Sequence, residues 1–201
     1  MNAFSAFILA GGKSSRMRAD KAFLELGGRT LLDRTLELAR TVAENVTVIG
    51  DPAKFAAFAP VVPDIYLDRG PLAGIHAALL RSQTDLNLML AVDLPFLDPR
   101  VLNYLLVQAK ASSALVTVPF TAGHYQPLCA AYRKAFASVA EVALAQGRNK
   151  IDALFPAISV RVIQEEELAA AGYNAAVLRN VNTPEEWEQA KREFESEPQD
   201  L

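Results

Sequence analysis

Hydrophobic residues follow two alternating patterns along the chain, short continuous runs and runs with helical spacing. The short runs, which are typical of strands, cover residues 4–9, 46–49, 61–62, 88–92, 115–118, 128–132 and 159–163. Helical spacing covers residues 30–43, 70–80, 98 onward, 134–146, 149–155 and 183 onward. Strands that alternate with helices favour an α/β fold. We therefore predict a doubly wound three-layer sandwich built around a mostly parallel sheet.

Capping signals mark where individual helices begin. Thr30 stands before the first helical segment, and Asp98 stands before Pro99, a residue suited to the first position of a helix. Thr183 and Glu186 have the spacing of a capping box, in which each residue satisfies a free N–H group of the other. These signals predict three helix starts.

The composition is that of an ordinary globular protein, with 51% hydrophobic residues, 21% charged residues and a net charge of −3. That charge gives no support for a nucleic-acid partner, and no apolar run approaches the roughly 20 residues that cross a bilayer. Cys129 is the single cysteine and cannot form an intramolecular disulfide. We predict a cytoplasmic protein without nucleic-acid or membrane partners, with one domain over residues 1–195 and a polar tail over residues 196–201.

The first strand leads into a segment, residues 9–21, that contains two adjacent glycines and two well-spaced cations. Gly11 and Gly12 allow a sharp turn and a close approach of the backbone to a ligand, and successive N–H groups in such a turn bind anions. Arg16 and Lys21 can hold phosphate oxygens. The glycine spacing matches neither the dinucleotide fingerprint nor the P-loop. The segment predicts a triphosphate cradle, with a solvated basic turn as the alternative.

Aspartates follow two further predicted strands. Asp93 ends the most apolar run, and Mg²⁺ prefers one or two carboxylates together with water and substrate phosphates. Asp64 precedes a loop that reaches a helix N-terminus at Gly70, a place that attracts anions, although Asp68 lies nearer the glycine. Ligands of doubly wound folds bind at the carboxyl ends of the strands. We expect these loops and the turn at residues 50–51 to converge on one cleft, whereas each aspartate alone would suit a loop or a helix cap.

Three amide side chains in the second half of the chain stand just before predicted elements. Gln126 opens an apolar run, and Asn180 and Asn182 stand just before the capping box, which does not explain them. Amide side chains offer a donor and an acceptor together, as a pterin or guanine edge requires. The cations of residues 148–150 could reach an acceptor phosphate, but a helix end at Gly147 accounts for them.

The chain has two histidines, His76 and His124. Neither has a cysteine or a second histidine at ligand spacing, so we predict no zinc site. His76 falls within a helical segment, where we expect it either on the helix surface or behind the residues that contact a ligand.

Segments 9–21, 70–75, 93–95 and 180–186 together resemble the molybdenum cofactor guanylyltransferases of the nucleotidyltransferase superfamily. The resemblance covers most of the chain and implies a Rossmann-like nucleotidyltransferase fold. It also implies Mg²⁺-dependent transfer of GMP from GTP to molybdopterin, which yields molybdopterin guanine dinucleotide and pyrophosphate. A molybdoenzyme or its chaperone is a further implied partner.

The resemblance assigns roles residue by residue. Arg16, Lys21 and Asp93 would be catalytic, with Asp93 as the metal ligand. The implied nucleotide-binding residues are Leu9, Ala10, Gly11, Gly12, Lys21, Asp64, Gly70 and Asp93. The implied acceptor-binding residues are Gln126, Asn180 and Asn182.

Two positions depart from the family pattern. Arg18 stands where the family has glycine, and Ile49 replaces an asparagine that contacts the nucleotide, which weakens the case for guanine. Two alternatives therefore stay open. One is a nucleotidyltransferase with another base or acceptor, such as CTP with molybdopterin or a sugar phosphate. The other is a GTP-binding adaptor without transfer activity.

Overall fold

The computed structural model describes residues 4–11 and 20–196. The strands are β1 (Ser5–Leu9), β2 (Glu25–Leu26), β3 (Arg29–Thr30), β4 (Asn45–Ile49), β5 (Val61–Val62), β6 (Leu86–Ala91), β7 (Val116–Thr121), β8 (His124–Tyr125), β9 (Cys129–Arg133) and β10 (Val160–Gln164). The α-helices are α1 (Leu31–Arg40), α2 (Pro52–Phe55), α3 (Pro71–Arg81), α4 (Pro99–Ala111), α5 (Phe136–Ala145), α6 (Glu165–Ala170) and α7 (Pro184–Ser196). Short 3₁₀ helices cover Lys21–Phe23, Asp152–Ala157 and Ala175–Leu178.

The central sheet has the strand order β10-β7-β9-β6-β1-β4-β5, and β8 pairs with β7 at one side. β1 runs parallel to both β4 and β6, β4 is parallel to β5, and β7 is parallel to β10. β9 is antiparallel to its two neighbours, β6 and β7. The mostly parallel, doubly wound sheet of the sequence prediction is confirmed, with β9 as a reversed strand inside it.

The core lies on both faces of the sheet, because successive side chains of a strand point to opposite sides. Ala6 and Ile8 of β1 join a cluster with α1 and α4, whereas Phe7 and Leu9 join a second cluster with α3 and α5. A strand covered on both faces reads as a continuous apolar run. This two-sided burial explains the continuous apolar run at residues 4–9. It also holds β1, and so the residues that follow it, in a fixed position.

A third, smaller cluster attaches the C-terminal helix to the rest of the molecule. Trp187 and Ala190 of α7 are buried against Leu26, Leu31 and Val181. The amphipathic helix therefore has a fixed position, and the chain just before it is carried to the edge of the sheet where β6 ends.

The predicted helix caps are confirmed. The Thr30 hydroxyl accepts a hydrogen bond from the Asp33 N–H at 3.0 Å, and the Asp98 carboxylate accepts one from the Arg100 N–H at 2.7 Å. Gly147, at a φ of 73°, ends α5 and donates its N–H to the Leu144 carbonyl at 3.0 Å.

The helix predicted over residues 149–155 is wrong in type and in bounds. A 3₁₀ helix covers Asp152–Ala157 instead, with Pro156 inside it. Proline has no N–H group to donate to the preceding turn, so a regular α-helix is not continued there. The described part of the chain contains no helix that is both long and apolar enough to cross a membrane. α7 includes Ser196, and the rest of the predicted tail, residues 197–201, lies outside the described residues.

Candidate active site

The adjacent strands β6, β1, β4 and β5 end at one edge of the sheet and bring their following residues together. A cavity of about 540 Å³ opens there. Its lining consists of Ala10, Gly11, Asp20, Asp51, Lys54, Phe55, Asp64, Asp68, Gly70 and Pro71. The loops expected to converge after β1, β4 and β5 thus share one cleft, which we call the edge cavity. Asp93 follows β6, on the other side of β1.

The backbone after β1 is fastened to its neighbour strand. The N–H groups of Ala10 and Gly11 both donate to the Ile49 carbonyl, at 3.1 and 3.2 Å. Those two N–H groups are therefore already used within the sheet. Ala10 and Gly11 offer a ligand a surface without bulky side chains. Gly12 and Arg16 lie outside the described residues, and their predicted roles stay predictions; Arg18 lies outside them too.

Asp64 is half-buried and faces the glycines of the site. A Cβ placed on Gly74 would lie 3.4 Å from Asp64 Oδ1 and 3.1 Å from Leu9 Cδ2, so glycine in α3 makes room for both side chains. Oδ1 is buried and has no hydrogen-bond partner among residues 4–11 and 20–196. Burial raises the pKa of Asp64 above its ordinary value. Asp68 also lines the edge cavity, so both candidate aspartates lie at the predicted cleft.

Lys21 and Asp93 form the best-defined polar contact at this edge. Lys21 Nζ donates to Asp93 Oδ2 and to Asn182 Oδ1, each at 2.8 Å. The side chains of Lys21 and Asp93 are 15% and 16% exposed, which makes this a largely desolvated pair. Three residues predicted from three separate motifs are in direct contact.

The second carboxylate oxygen of Asp93, Oδ1, has the properties of a metal-binding oxygen. Oδ1 is buried and lacks a hydrogen-bond partner in the described ranges, 4–11 and 20–196. A buried carboxylate oxygen without a donor is costly unless a cation or a ligand group completes it. Mg²⁺ takes oxygen ligands and commonly uses one or two carboxylates. Asp93 fits a magnesium ligand.

The C-terminal motif reaches Asp93 through its backbone. The Val181 N–H donates to the Asp93 carbonyl at 3.0 Å. The predicted capping box is confirmed, since Glu186 N–H donates to the Thr183 hydroxyl and the Glu186 carboxylate accepts from the Thr183 N–H, each at 3.2 Å. The preceding Asn180 is half-buried.

A second cavity of about 300 Å³ lies beside the first and shares Pro71 with it. Its lining consists of Pro71, His124, Tyr125, Pro127, Asn149, Lys150, Ile151 and Asp152. We call it the side cavity. Because a wall residue is common to both, two ligands that occupy the two cavities would be neighbours.

Gln126, a predicted acceptor residue, has its side chain turned inward. It is 7% exposed, and its amide nitrogen donates to the Thr121 hydroxyl at 3.1 Å. The same nitrogen lies 3.1 Å from His124 Nε2, while His124 Nδ1 lies 3.0 Å from the Ala122 carbonyl. A carbonyl can only accept, so Nδ1 carries the proton and Nε2 accepts from Gln126. Gln126 orients His124, and of these two residues it is His124 that lines the side cavity.

The chain was also compared with known proteins. The family profile described as MobA-like NTP transferase domain matches residues 6–187. This chain belongs to the MobA-like NTP transferase domain family. A probable molybdenum cofactor guanylyltransferase of Pelotomaculum thermopropionicum is 34% identical over 92% of this chain and 90% of that protein. A molybdenum cofactor guanylyltransferase of Desulfosudis oleivorans is 34% identical over 95% and 96%.

Solved structures share the fold of this chain. The molybdopterin-guanine dinucleotide biosynthesis protein A of Archaeoglobus fulgidus superposes with a TM-score of 0.85 at 25% identity, covering 96% of this chain and all of that one. A CMP:2-keto-3-deoxy-manno-octonic acid synthetase complexed with CTP shares the fold, with a TM-score of 0.74 at 15% identity over 96% and 98% of the two chains. The predicted nucleotidyltransferase class and its Rossmann-like fold are confirmed.

Two residues that line the edge cavity, Asp51 and Lys54, were not among the predicted site residues, although the turn at residues 50–51 was expected at the cleft. Asp51 lines the cavity and caps α2, whereas Ile49, the position singled out by sequence, is 2% exposed within the core. Lys54 lines the cavity too and pairs with Asp20 at 2.8 Å. The Asp-Pro pair at residues 51–52, separated from the end of β4 by Gly50, was the available signal for Asp51.

His76 is buried, so the helix surface, the first of its two expected places, is wrong. The ring is 1% exposed and packs edge-on against Tyr66, with 5.4 Å between ring centroids. Burial lowers the pKa of His76. The residue lies on α3, where the helix faces α5 and the loop before it rather than solvent.

Proposed function

We propose that this protein transfers GMP from GTP to the terminal phosphate of molybdopterin, with Mg²⁺, releasing pyrophosphate and forming molybdopterin guanine dinucleotide. The proposal rests on one geometric observation, the Lys21 ammonium bonded to both Asp93 and Asn182 at the sheet edge. The names of the curated relatives support the same reaction. We propose the cytoplasm as its compartment, which the single, buried free thiol of Cys129 supports, and a molybdoenzyme or its chaperone as the recipient of the product.

The edge cavity is the proposed nucleotide site. Four carboxylates line it, those of Asp20, Asp51, Asp64 and Asp68. The guanine edge presents N–H donors at N1 and N2, which carboxylates accept well, so an acidic wall suits this base. Gly70 and the N-terminus of α3 adjoin the same cavity, with no side-chain cap on that helix end. Helix N-termini favour anions, so this end suits a phosphate or a sugar hydroxyl.

The chemistry is an in-line displacement at the α-phosphorus of GTP. A bond forms between that phosphorus and an oxygen of the molybdopterin phosphate, and the bond to the β-phosphate oxygen breaks, releasing pyrophosphate. Such reactions depend mostly on positioning and on stabilisation of charge. Lys21 and Arg16 would hold the triphosphate and compensate the negative charge that moves to pyrophosphate. Asp93 would hold Mg²⁺, which supplies further charge compensation when bound.

The side cavity is the proposed acceptor site. Lys150 lines it and carries the cation that a molybdopterin phosphate requires, and Asn149 and His124 offer groups for hydrogen bonds. Gln126 contributes by orienting His124. Asn180 stays a proposed acceptor contact. The shared wall at Pro71 would put the acceptor phosphate beside the nucleotide, as an in-line attack requires.

Calorimetric titration with GTP and with CTP, each with and without Mg²⁺, tests the nucleotide site, and pyrophosphate release with molybdopterin tests the reaction. We expect tighter binding of GTP, weakened without the metal, and pyrophosphate release that needs both GTP and molybdopterin. A preference for CTP would move the chain to cytidylyl transfer. Tight GTP binding without pyrophosphate release would make it a binding module.

A further inference from the structure

The Lys21 ammonium is held by two fixed acceptors. A lysine ammonium carries three N–H groups on a flexible four-carbon stem. Two of these groups go to Asp93 Oδ2 and Asn182 Oδ1, both at 2.8 Å, and the side chain is 15% exposed. Two acceptors on different parts of the chain define the direction of the stem and leave one N–H group for a phosphate oxygen.

Asn182 is in turn held by Glu186. Glu186 Oε2 accepts from the Asn182 N–H at 2.6 Å and from the Thr183 N–H at 3.2 Å. The neighbouring Val181 N–H donates to the Asp93 carbonyl at 3.0 Å. Hydrogen bonds therefore fix the backbone around Asn182 on both sides, to Glu186 of α7 on one side and to Asp93 on the other.

α7 provides a rigid support for these bonds. Trp187, one residue after Glu186, is 7% exposed in the cluster with Leu26 and Leu31. Its N–H donates to the Thr183 carbonyl at 3.0 Å. A side chain whose partners are buried loses little further freedom when it positions another group.

We infer that Asn182 and Glu186 are positioning residues for Lys21: the Asn182 carbonyl oxygen aims the ammonium at the triphosphate, and the Glu186 carboxylate fixes Asn182. This inference rests on the proposed function, since it names what Lys21 serves. A neutral amide suits the task better than a carboxylate. An aspartate at this position would hold the ammonium equally well but would add a negative charge where a triphosphate has to bind.

The test measures steady-state kinetics and GTP affinity for Asn182→Ala, Glu186→Ala and Thr183→Ala. Thr183→Ala is the matched control, because it removes the Thr183 half of the cap and leaves the Glu186 bond to Asn182 intact. We expect Asn182→Ala and Glu186→Ala to lower kcat/KM for GTP by about 10- to 100-fold, the range for a lost hydrogen bond to a charged group. KM for molybdopterin should stay unchanged in both, and Thr183→Ala should keep wild-type turnover.

Two conservative variants sharpen the comparison. Glu186→Gln keeps an acceptor oxygen for the Asn182 N–H and should restore most of the activity lost in Glu186→Ala. Asn182→Asp keeps the acceptor for Lys21 and adds charge, so its GTP affinity should fall below that of the wild type while KM for molybdopterin holds. If Asn182→Ala raised only the KM for molybdopterin, the inference would be overturned, and Asn182 would instead be a residue that binds molybdopterin. Equal losses in Glu186→Ala and Thr183→Ala would reduce Glu186 to a helix cap.

A ligand-free measurement separates this inference from the proposed function. In protein labelled with ¹⁵N-lysine, the Lys21 ammonium should give a slowly exchanging NMR signal that Thr183→Ala keeps and Asn182→Ala loses. If the wild type and Thr183→Ala show this signal, Asn182→Ala loses it, and the wild type does not use GTP, the proposed function fails and the positioning contact stands. If the signal is the same in both variants, the positioning contact fails whatever the substrate is.

Discussion

Replacing Lys21 by methionine removes an ammonium and keeps a side chain of similar length. The Asp93 carboxylate then stays in place with 16% of its side chain exposed and without its described partner. Removing one partner of a buried ion pair costs about 3–5 kcal/mol. Remaining contact with solvent at both groups lowers that figure, and we expect a loss of about 2 kcal/mol of unfolding free energy.

The complementary change, Asp93→Asn, keeps an oxygen for the Lys21 ammonium and removes the negative charge. We expect a loss of about 1 kcal/mol, because one hydrogen bond survives. The double variant Lys21→Met with Asp93→Asn leaves no unpaired charge and should lose about 1–2 kcal/mol less than the two single variants together. Urea denaturation gives the three unfolding free energies, and pyrophosphate release gives the rates.

Activity should respond differently from stability in this series. Each single variant and the double variant should lose turnover by about 100- to 1,000-fold, since all remove a charge that serves the transition state. The double variant would thus lose less stability than the sum of the single variants, while it would recover no activity. Strictly additive stabilities would show that the pair is not coupled, and turnover within about threefold of the wild type in either single variant would refute the catalytic assignment.

Two further predictions concern buried acidic groups. Burial raises the pKa of Asp64, so the folded state favours the protonated carboxyl, and stability is lost as pH rises through that raised pKa. Asp64→Asn should therefore increase the unfolding free energy at about pH 7, where the carboxylate is charged, but not at about pH 3. The same variant should weaken GTP binding. Equal effects at the two pH values, compared by urea denaturation, would contradict this. Burial also raises the pKa of Cys129 to about 12, so an aromatic disulfide reagent at about pH 8 should label the thiol only after urea unfolds the chain. Labelling of the native protein at the unfolded rate would show that the thiol is accessible.

Local signals were sufficient wherever a structure depends on neighbouring residues. The caps at Thr30 and Asp98 and the box of Thr183 with Glu186 were predictable, because each bond spans two or three residues along the chain. The strand β1 was predictable because burial on both faces leaves a continuous apolar run.

Features that depend on tertiary packing were not predictable in the same way. The short hairpin of β2 and β3 has two residues in each strand, too few for a periodic pattern. The antiparallel direction of β9 has no signature in its apolar composition, because a buried strand reads the same in either direction. Asp51 was expected at the cleft as part of the turn at residues 50–51, but its side chain was given no role because the family pattern was aligned on Ile49. Only the cavity shows which of these two residues faces outward.

The contact between Lys21 and Asn182 joins residues 161 positions apart in the chain. During synthesis the strands of the first half of the chain leave the ribosome before the C-terminal segment that contains Asn182 exists, and a domain generally folds as one unit. A polypeptide that stops before residue 181 lacks the Asn182 amide, the helix α7 behind it and the backbone bond from Val181 to Asp93. The contact that positions Lys21 therefore forms only in chains that have been translated past residue 182.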